Sequence, residues 1–170
     1  MADKNKKEKQ FLEAYNKFSD AIFRHCYYRV FDREEAKDFT QETFFRTWKY
    51  LSEGKDLENI RPFLYKIANN IIIDNFRKKK NISLDQIIEK GFSPKIDERE
   101  KTENYFSGKE ILKIINSMDE KYRDVIVMKY IDGLSSKEIA SILDETENNV
   151  YVRIHRGFEK VKEILAQPEK

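Results

Sequence analysis

Apolar residues recur every three or four positions along most of the chain, the spacing that places them on one face of an α-helix. In the N-terminal half this pattern extends from Phe11 to Arg77. Asp32 is a predicted N-cap because Glu35 follows in the capping-box position, and Pro62 suits the first turn of a further helix. No segment alternates apolar and polar residues as a strand would, so the pattern predicts an all-α fold.

The C-terminal part has the layout of a helix-turn-helix between Ser135 and Lys160. Ser135 and Glu138 form a predicted capping box in front of a short helix, and the turn at 144–146 is polar. Thr146 is the predicted N-cap of the last helix. The apolar positions expected on the inner face of that last helix are Val150, Ile154, Val161 and Leu165.

Between the two helical parts the periodicity weakens and Gly and Pro appear, which is typical of a linker. We therefore expect two small helical domains, at 11–80 and 109–166, joined by a flexible linker at 81–108. Within that linker the pattern allows at most a short helix near 84–88.

Composition narrows the class of protein. Of the 170 residues 38% are charged and 39% hydrophobic, so packed cores are expected rather than general disorder. The net charge is only +2, and a nucleic-acid surface must therefore come from local clusters of Lys and Arg.

The single cysteine, Cys26, rules out an internal disulfide and favours a reducing compartment. No run approaches the roughly 20 apolar residues of a membrane span. We expect a soluble, cytoplasmic protein with no stable membrane insertion.

The last helix carries side chains suited to DNA. In a helix-turn-helix the second helix enters the major groove with its first residues nearest the base edges. Asn and Arg can pair with adenine and guanine, an apolar side chain can touch a thymine methyl, and basic residues can hold phosphates. The candidate contacts are Ser136, Thr146, Asn148, Asn149, Tyr151, Val152, Arg153, His155, Arg156 and Lys160. The alternative is the solvated face of an ordinary surface helix.

A second candidate surface lies in the N-terminal half. Asp38, Gln41, Glu42 and Phe45 recur at spacings of three and four and so share one helical face. An acidic, amide-bearing face beside aromatic residues suits a protein partner with basic residues better than it suits DNA.

These segments resemble a known family. The stretch 32–48, followed by 62–77, resembles region 2 of bacterial sigma factors, and the helix-turn-helix with 150–156 resembles their region 4. Two such regions joined by a short linker resemble the extracytoplasmic-function (ECF) group of sigma factors. The resemblance covers roughly residues 11–80 and 109–165.

The resemblance implies roles for particular residues. Asp38, Gln41, Glu42 and Phe45 would dock on core RNA polymerase. The helix at 63–77 and the loop before it would open and read the −10 promoter element as single-stranded DNA, with Asn70 holding an extruded base. The candidate contacts there are Tyr65, Lys66, Asn69, Asn70, Asp74, Arg77, Lys78, Lys79 and Lys80. The helix-turn-helix would read the −35 element as duplex. The run at 78–80 has a simpler alternative, a helix end favoured by the macrodipole.

The implied function is promoter-specific transcription initiation. The implied partners are core RNA polymerase and promoter DNA, with a monomer when free. Many ECF relatives are restrained by an anti-sigma factor, so such a factor is a further candidate partner, which the sequence alone does not decide. No catalytic constellation, cofactor motif or metal site is expected, since His25 beside Cys26 lacks further ligands. The mildly acidic linker is either a tether or a segment that occupies polymerase channels.

Two alternatives and several departures accompany this interpretation. A repressor or activator that binds operators without polymerase would leave the acidic face at 38–42 unexplained, and a sigma-like protein-interaction module is the other alternative.

Asp144 stands where the family commonly has Gly, although Asp tolerates the left-handed backbone region. Tyr151, Val152, Gly157 and Phe158 also depart from the usual residues. Fewer cations in this helix predict a weaker or different −35 contact.

Overall fold

The computed structural model describes residues 2–83 and 105–167. The chain divides into two compact units, Met1–Pro94 and Lys95–Lys170. Throughout the described ranges the regular structure is helical and no strand occurs, so the predicted all-α fold is confirmed. The short helix expected near 84–88 lies outside the described residues, and the exact bounds of the two predicted domains stay a prediction.

The first unit contains α1 (Ala2–Val30), α2 (Arg33–Ser52) and α3 (Ile60–Ser83). The second unit contains α4 (Tyr105–Ser117), α5 (Glu120–Ile126) with a π-helical continuation at Val127–Ile131, α6 (Ser136–Leu143) and α7 (Glu147–Ala166).

Helix α1 begins well before the predicted start at Phe11. Its first turns are polar, and ion pairs at a spacing of four residues support them. The Lys7 ammonium lies 3.6 Å from the Asp3 carboxylate, and the Lys9 ammonium lies 3.9 Å from Glu13. Because these first turns are polar in sequence, apolar periodicity alone does not predict them as helix.

Aromatic packing joins α1 to α2. The ring of Phe44 meets Phe11 edge-on at a centroid distance of 6.2 Å and Tyr15 at 4.9 Å, and Trp48 packs on Phe11 at 5.2 Å. Edge-to-face geometry is the favoured arrangement of such rings. Leu51 from α2 is fully buried in the same core. Phe44 is therefore a core residue, and the half-buried Trp48 packs at the edge of the same cluster.

The predicted cap of α2 is also confirmed, because the Asp32 carboxylate accepts a hydrogen bond from the backbone N–H of Glu35 at 2.9 Å. The Glu35 side chain pairs with Lys79 of α3 at 2.6 Å. The Glu35 carboxylate therefore links α2 to the C-terminal end of α3.

Three local predictions hold in the helix-turn-helix. Ser135 and Glu138 form a complete capping box. Asp144 occupies the left-handed region at φ 53° and ψ 42°, which ends α6. The Thr146 hydroxyl accepts from the backbone N–H of Asn149 at 3.2 Å and so caps α7. The turn that lacks the family's usual Gly is therefore built as expected.

The inner face predicted for α7 is only partly correct. Val150 is fully buried and Ile154 is 8% exposed, but Leu165 is 66% exposed. The expectation for Leu165 is wrong because the fully buried positions of α7 end at Gly157, and in the later turns apolar residues such as Val161 are at most half-buried.

A π-helical turn follows α5. The five consecutive residues 124–128 are all buried, which one face of a regular α-helix does not allow. The backbone N–H of Asp132 donates to the carbonyl of Val127, five residues earlier, at 2.9 Å. The helix is therefore enclosed on all sides at 124–128, and the wider turn changes the helical register of the residues that follow.

Gly157 marks the close approach of α7 to α5. A Cβ atom at this position would lie 2.8 Å from Cγ1 and 3.0 Å from Cδ1 of the buried Ile126 side chain. The absence of a side chain at Gly157 therefore sets how closely the two helices pack.

We predict that Gly157→Ala destabilises the second unit. Ala is favoured over Gly inside a helix by about 1 kcal/mol, but overpacking a core costs about 1–3 kcal/mol, so a net loss of about 1 kcal/mol is expected. Urea unfolding followed by circular dichroism measures it. In an Ile126→Ala background the same change should be neutral or stabilising. An unchanged or higher stability of Gly157→Ala in the wild-type background would contradict the packing account.

Candidate nucleic-acid and protein interfaces

The acidic face of α2 is exposed to solvent. Asp38 and Gln41 are exposed, and Phe45 is 62% exposed, although Phe is normally an interior residue. Glu42 lies between them, and its carboxylate accepts from Arg46 at 2.6 Å. The structure thus brings together all four predicted residues on one surface, with Glu42 already paired.

The opposite face of the same helix is firmly held. The buried positions are Ala36, Thr43, Phe44, Thr47 and Leu51. The two buried threonine hydroxyls donate to carbonyls one turn earlier, Thr43 to Phe39 at 2.6 Å and Thr47 to Thr43 at 2.8 Å. Because each buried hydroxyl is satisfied, this face of the helix packs against the core without orphaned polar groups.

Polar side chains form a stripe along α3. Lys66, Asn70, Asp74 and Arg77 follow one another at spacings of four, four and three. Lys66 is half-buried and the other three are exposed, while Leu64, Ala68 and Ile72 on the opposite side are fully buried. The stripe offers an amide and charged groups to a ligand that lies along the helix.

Two of the predicted −10 contacts are core residues, so the structure does not present them at the surface. Tyr65 is 1% exposed and packs edge-on against the His25 ring at 5.2 Å. Asn69 is 1% exposed, and its side-chain oxygen accepts from the buried guanidinium of Arg29 at 3.0 Å. The physical reason is that a buried cation requires a polar partner inside the unit, and Asn69 supplies one.

The basic run at the end of α3, residues 78–80, faces solvent, and one of its lysines pairs with α2. Lys78 and Lys80 are exposed. Lys79 donates to both carboxylate oxygens of Glu35, at 2.6 and 2.9 Å. The positive charge of Lys79 is therefore largely offset, and a phosphate there would have to compete with Glu35.

The loop between α2 and α3, residues 53–59, precedes the α3 stripe. Gly54 takes a positive φ of 88° as the chain leaves α2. The Lys55 ammonium donates to Glu53 at 2.8 Å, which lowers the pKa of Glu53 and raises the pKa of Lys55. Both groups therefore stay charged at neutral pH.

In the helix-turn-helix the start of α7 is open. Asn148, Asn149 and Tyr151 are exposed, and Tyr151 is 66% exposed. One turn further, His155 and Arg156 are exposed as well.

The remaining predicted contacts of this unit are either half-buried or exposed but already hydrogen-bonded. Ser136, the first residue of α6, and Val152 are half-buried. The Thr146 hydroxyl is already engaged as the cap. Lys160 donates to Glu163 at 3.1 Å, which raises the Lys160 pKa, so the ammonium remains charged at neutral pH.

Arg153 does not face outward as predicted. Its guanidinium donates to both oxygens of the buried Asp124 at 2.8 Å, to the carbonyl of Lys121, and to Glu145 in the turn before α7. The side chain is 22% exposed. A bidentate Arg–carboxylate pair is among the strongest polar contacts in proteins, and here it joins α7, α5 and the turn. The Arg153 guanidinium is therefore already engaged within the unit, where it orients the helix-turn-helix.

Sequence reasoning missed the polar core of each unit. Arg29 and Asp124 are buried, but apolar periodicity does not predict the burial of charged residues, and their partners lie far away in the sequence.

Among the described residues no group of three or more His, Cys, Asp or Glu side chains could hold a metal ion. Over the same residues no helix has the length and apolar content required to cross a membrane.

Comparison with known proteins places each unit. Residues 14–82 match the family described as Sigma-70 region 2, and residues 108–161 match Sigma-70, region 4. The ECF RNA polymerase sigma factor SigW of Bacillus subtilis is 32% identical over 169 residues, covering 91% of this chain and 88% of SigW. The ECF RNA polymerase sigma factor SigE of Mycolicibacterium smegmatis is 25% identical and covers 91% of this chain, which spans 61% of SigE.

A solved structure has the same fold. The sigma factor RpoE of Bartonella quintana, crystallised with the anti-sigma factor NepR, aligns with a TM-score of 0.76. The alignment covers 95% of this chain and 99% of RpoE at 16% identity.

We predict that Arg153→Ala destabilises the second unit by about 2 kcal/mol, since it leaves the buried Asp124 carboxylate without its cation. Arg153→Lys should recover only part of this loss, because an ammonium lacks the planar fork. Thermal unfolding measures both variants, and Arg156→Ala, at an exposed arginine one turn away, is the matched control. Equal stability of Arg153→Ala and Arg156→Ala would show that the Asp124 pair does not hold the unit together.

Proposed function

Because the chain belongs to the ECF RNA polymerase sigma factors, we propose that its two units divide the tasks of promoter recognition between the surfaces described above. The function of the chain is to direct RNA polymerase to promoters for transcription initiation. Its partners are core RNA polymerase and promoter DNA. The sigma factor family is not an enzyme class, and in our proposal the polymerase carries out the chemistry, in the cytoplasm.

The observation that supports separate polymerase and DNA surfaces on the first unit is the presence of two chemically different faces there. The exposed face of α2 combines carboxylates, an amide and the solvent-exposed ring of Phe45. The exposed stripe of α3 combines an amide with cations and one carboxylate, Asp74, which lies 3.9 Å from Arg77, and it ends in exposed lysines. A surface with negative charge and an exposed aromatic suits a basic protein partner, whereas an amide beside cations suits nucleic acid.

We assign polymerase docking to Asp38, Gln41, Glu42 and Phe45 of α2. Exposed carboxylates near an aromatic anchor fit a positively charged protein surface, where Phe45 supplies buried apolar area and the charges supply orientation. Since Glu42 is paired with Arg46, Asp38 and Gln41 are the groups immediately available to a partner.

We assign −10 recognition to the loop at 53–59 and to the exposed stripe of α3. Asn70 lies at the centre of that stripe, and an amide can hydrogen-bond to the edge of a base held outside the stack. Lys78 and Lys80 add sequence-independent phosphate contacts, with Lys79 a weaker contributor because of Glu35. Tyr65 and Asn69 support this surface from the core.

We assign −35 recognition to the exposed start of α7. Asn148, Asn149 and Tyr151 are nearest the groove in the helix-turn-helix geometry, and His155 and Arg156 follow one turn later. Ser136, Thr146, Val152 and Lys160 lie at the edge of this surface. Because Arg153 is paired with Asp124, α7 offers few free cations. Base contacts and DNA shape therefore contribute a larger share of the affinity for the −35 element.

An anti-sigma factor is a further proposed partner. The solved relative RpoE is bound to the anti-sigma factor NepR. A face such as that of α2 can be covered by only one partner at a time, so an inhibitor that occupies it would exclude the polymerase.

We predict that Asp38→Ala combined with Gln41→Ala weakens binding to core RNA polymerase at least tenfold without changing thermal stability, because both side chains are exposed. Quantitative pull-down with core polymerase measures the affinity. The matched control is Glu13→Ala combined with Asn16→Ala, an exposed acid and amide at the same spacing on α1. Equal affinities of the two double variants would remove the assignment of the docking face.

We predict that Asn70→Ala slows promoter opening about tenfold while initial binding to duplex promoter changes little, because an extruded base exists only after opening. Stopped-flow fluorescence on a labelled promoter separates the two steps, and Asn16→Ala is the control for loss of an exposed amide. A loss of the same size in both steps would mean that Asn70 does not capture a base.

A further inference from the structure

The loop at 53–59 has few apolar contacts of its own. Leu57 is half-buried, and the flanking loop residues are exposed. Short polar loops of this kind sample several conformations unless neighbouring elements restrain them. The proposed role of this loop in −10 recognition requires a defined conformation, so the source of the restraint matters.

The first turns of α1 supply such a restraint. The Gln10 side-chain amide donates to the backbone carbonyl of Leu57 at 2.9 Å. The Lys7 ammonium lies 3.4 Å from the Asp56 carboxylate and 3.6 Å from Asp3. Both contacts join α1 to a loop that is more than 40 positions away in the sequence.

The burial of Lys7 sets it apart from the other lysines of this segment. Its side chain is 9% exposed, whereas that of Lys9 is 78% exposed. Lysine is rarely buried unless its charge is paired. Here the methylene stem is enclosed while the ammonium reaches the loop, and a cavity of about 450 Å³ lies between the helix and the loop.

The aromatic cluster of α1 and α2 fixes the position of these first turns. Phe11 follows Gln10 directly and packs on Phe44 and Trp48. Since Trp48 lies one turn before the end of α2, the preceding turns of α1 run beside the loop that leaves α2. The contacts of Lys7 and Gln10 are therefore a consequence of the core packing.

We propose that Lys7 and Gln10 are positioning residues for −10 recognition, which hold the 53–59 loop in the conformation that engages DNA. The inference rests on the proposed function of that loop. Neither residue needs to touch DNA. Each restrains the loop from behind, so that the ordering of the loop precedes binding and does not have to occur during promoter opening.

The test uses holoenzyme assembled from the full chain and core polymerase. Lys7→Met keeps the volume of the buried stem and removes the charge, and Gln10→Ala removes the hydrogen bond to Leu57. Lys9→Met is the matched control, because it removes a neighbouring but exposed lysine from the same helix. Lys7→Arg, which keeps a cation within reach of Asp56, is the conservative variant.

We expect Lys7→Met and Gln10→Ala to slow open-complex formation and to weaken binding of single-stranded −10 DNA, each about three- to tenfold. Affinity for core polymerase, binding of −35 duplex and thermal stability should stay at wild-type values. Lys7→Arg should recover most of the rate, and Lys9→Met should match the wild type. A purely structural role of Lys7 would instead lower stability and core affinity together.

Three outcomes would overturn the proposal: wild-type opening rates in both variants, an equal defect in Lys9→Met, or a parallel loss of core affinity. An equal defect in Lys9→Met would mean that positive charge near the DNA matters and not the restraint. Failure of the proposed function is distinguishable, because wild-type holoenzyme would then give no promoter-specific opening at all.

Discussion

The packing of Phe44 between Phe11 and Tyr15 is the interaction on which the first unit depends. It fixes the rotation of α2 about its axis, and one buried Phe of this kind stabilises the fold by about 2 kcal/mol. Phe44 is turned inward whereas its neighbour Phe45 is exposed, and Asp38 and Gln41 lie on the same side as Phe45. The same cluster places the first turns of α1 beside the loop at 53–59. The docking face and the restrained loop are thus two results of one packing arrangement.

The second unit depends more on polar contacts. Asp124 and Arg153 join α5 to α7, and Glu145 ties the turn to the same guanidinium. Close approach at Gly157 and the π-helical turn after α5 complete a small core. A short helix-turn-helix buries little apolar surface, so a bidentate ion pair and a complete capping box keep the start of α7 oriented for a groove.

Much of this could be predicted from the sequence, because local patterns carry it. Asp32, Ser135 and Thr146 are caps whose chemistry is readable within four residues, and Phe44 follows from helical periodicity. The membership of the family followed from motif order. The errors at Tyr65, Asn69 and Arg153 have one physical origin, because periodicity treats a polar side chain as exposed.

Asn69 and Tyr65 are polar residues of α3, which sequence patterns place at the surface. In the structure Asn69 accepts a hydrogen bond from the buried guanidinium of Arg29, and Tyr65 packs against the buried ring of His25. Arg153 was assigned to DNA because its acceptors, Asp124 and Glu145, come from other elements. Periodicity predicts Leu165 in the core because it does not show how far the core extends along α7. Long-range polar partners and the limits of a core require the tertiary structure.

The most direct test of the account is transcription by core RNA polymerase reconstituted with this chain, with transcript starts mapped across genomic fragments. The account predicts a one-to-one complex with core enzyme and discrete starts that share sequence about ten and thirty-five base pairs upstream. A well-folded chain that binds duplex DNA tightly by itself, forms no complex with core polymerase and yields no specific starts would contradict it.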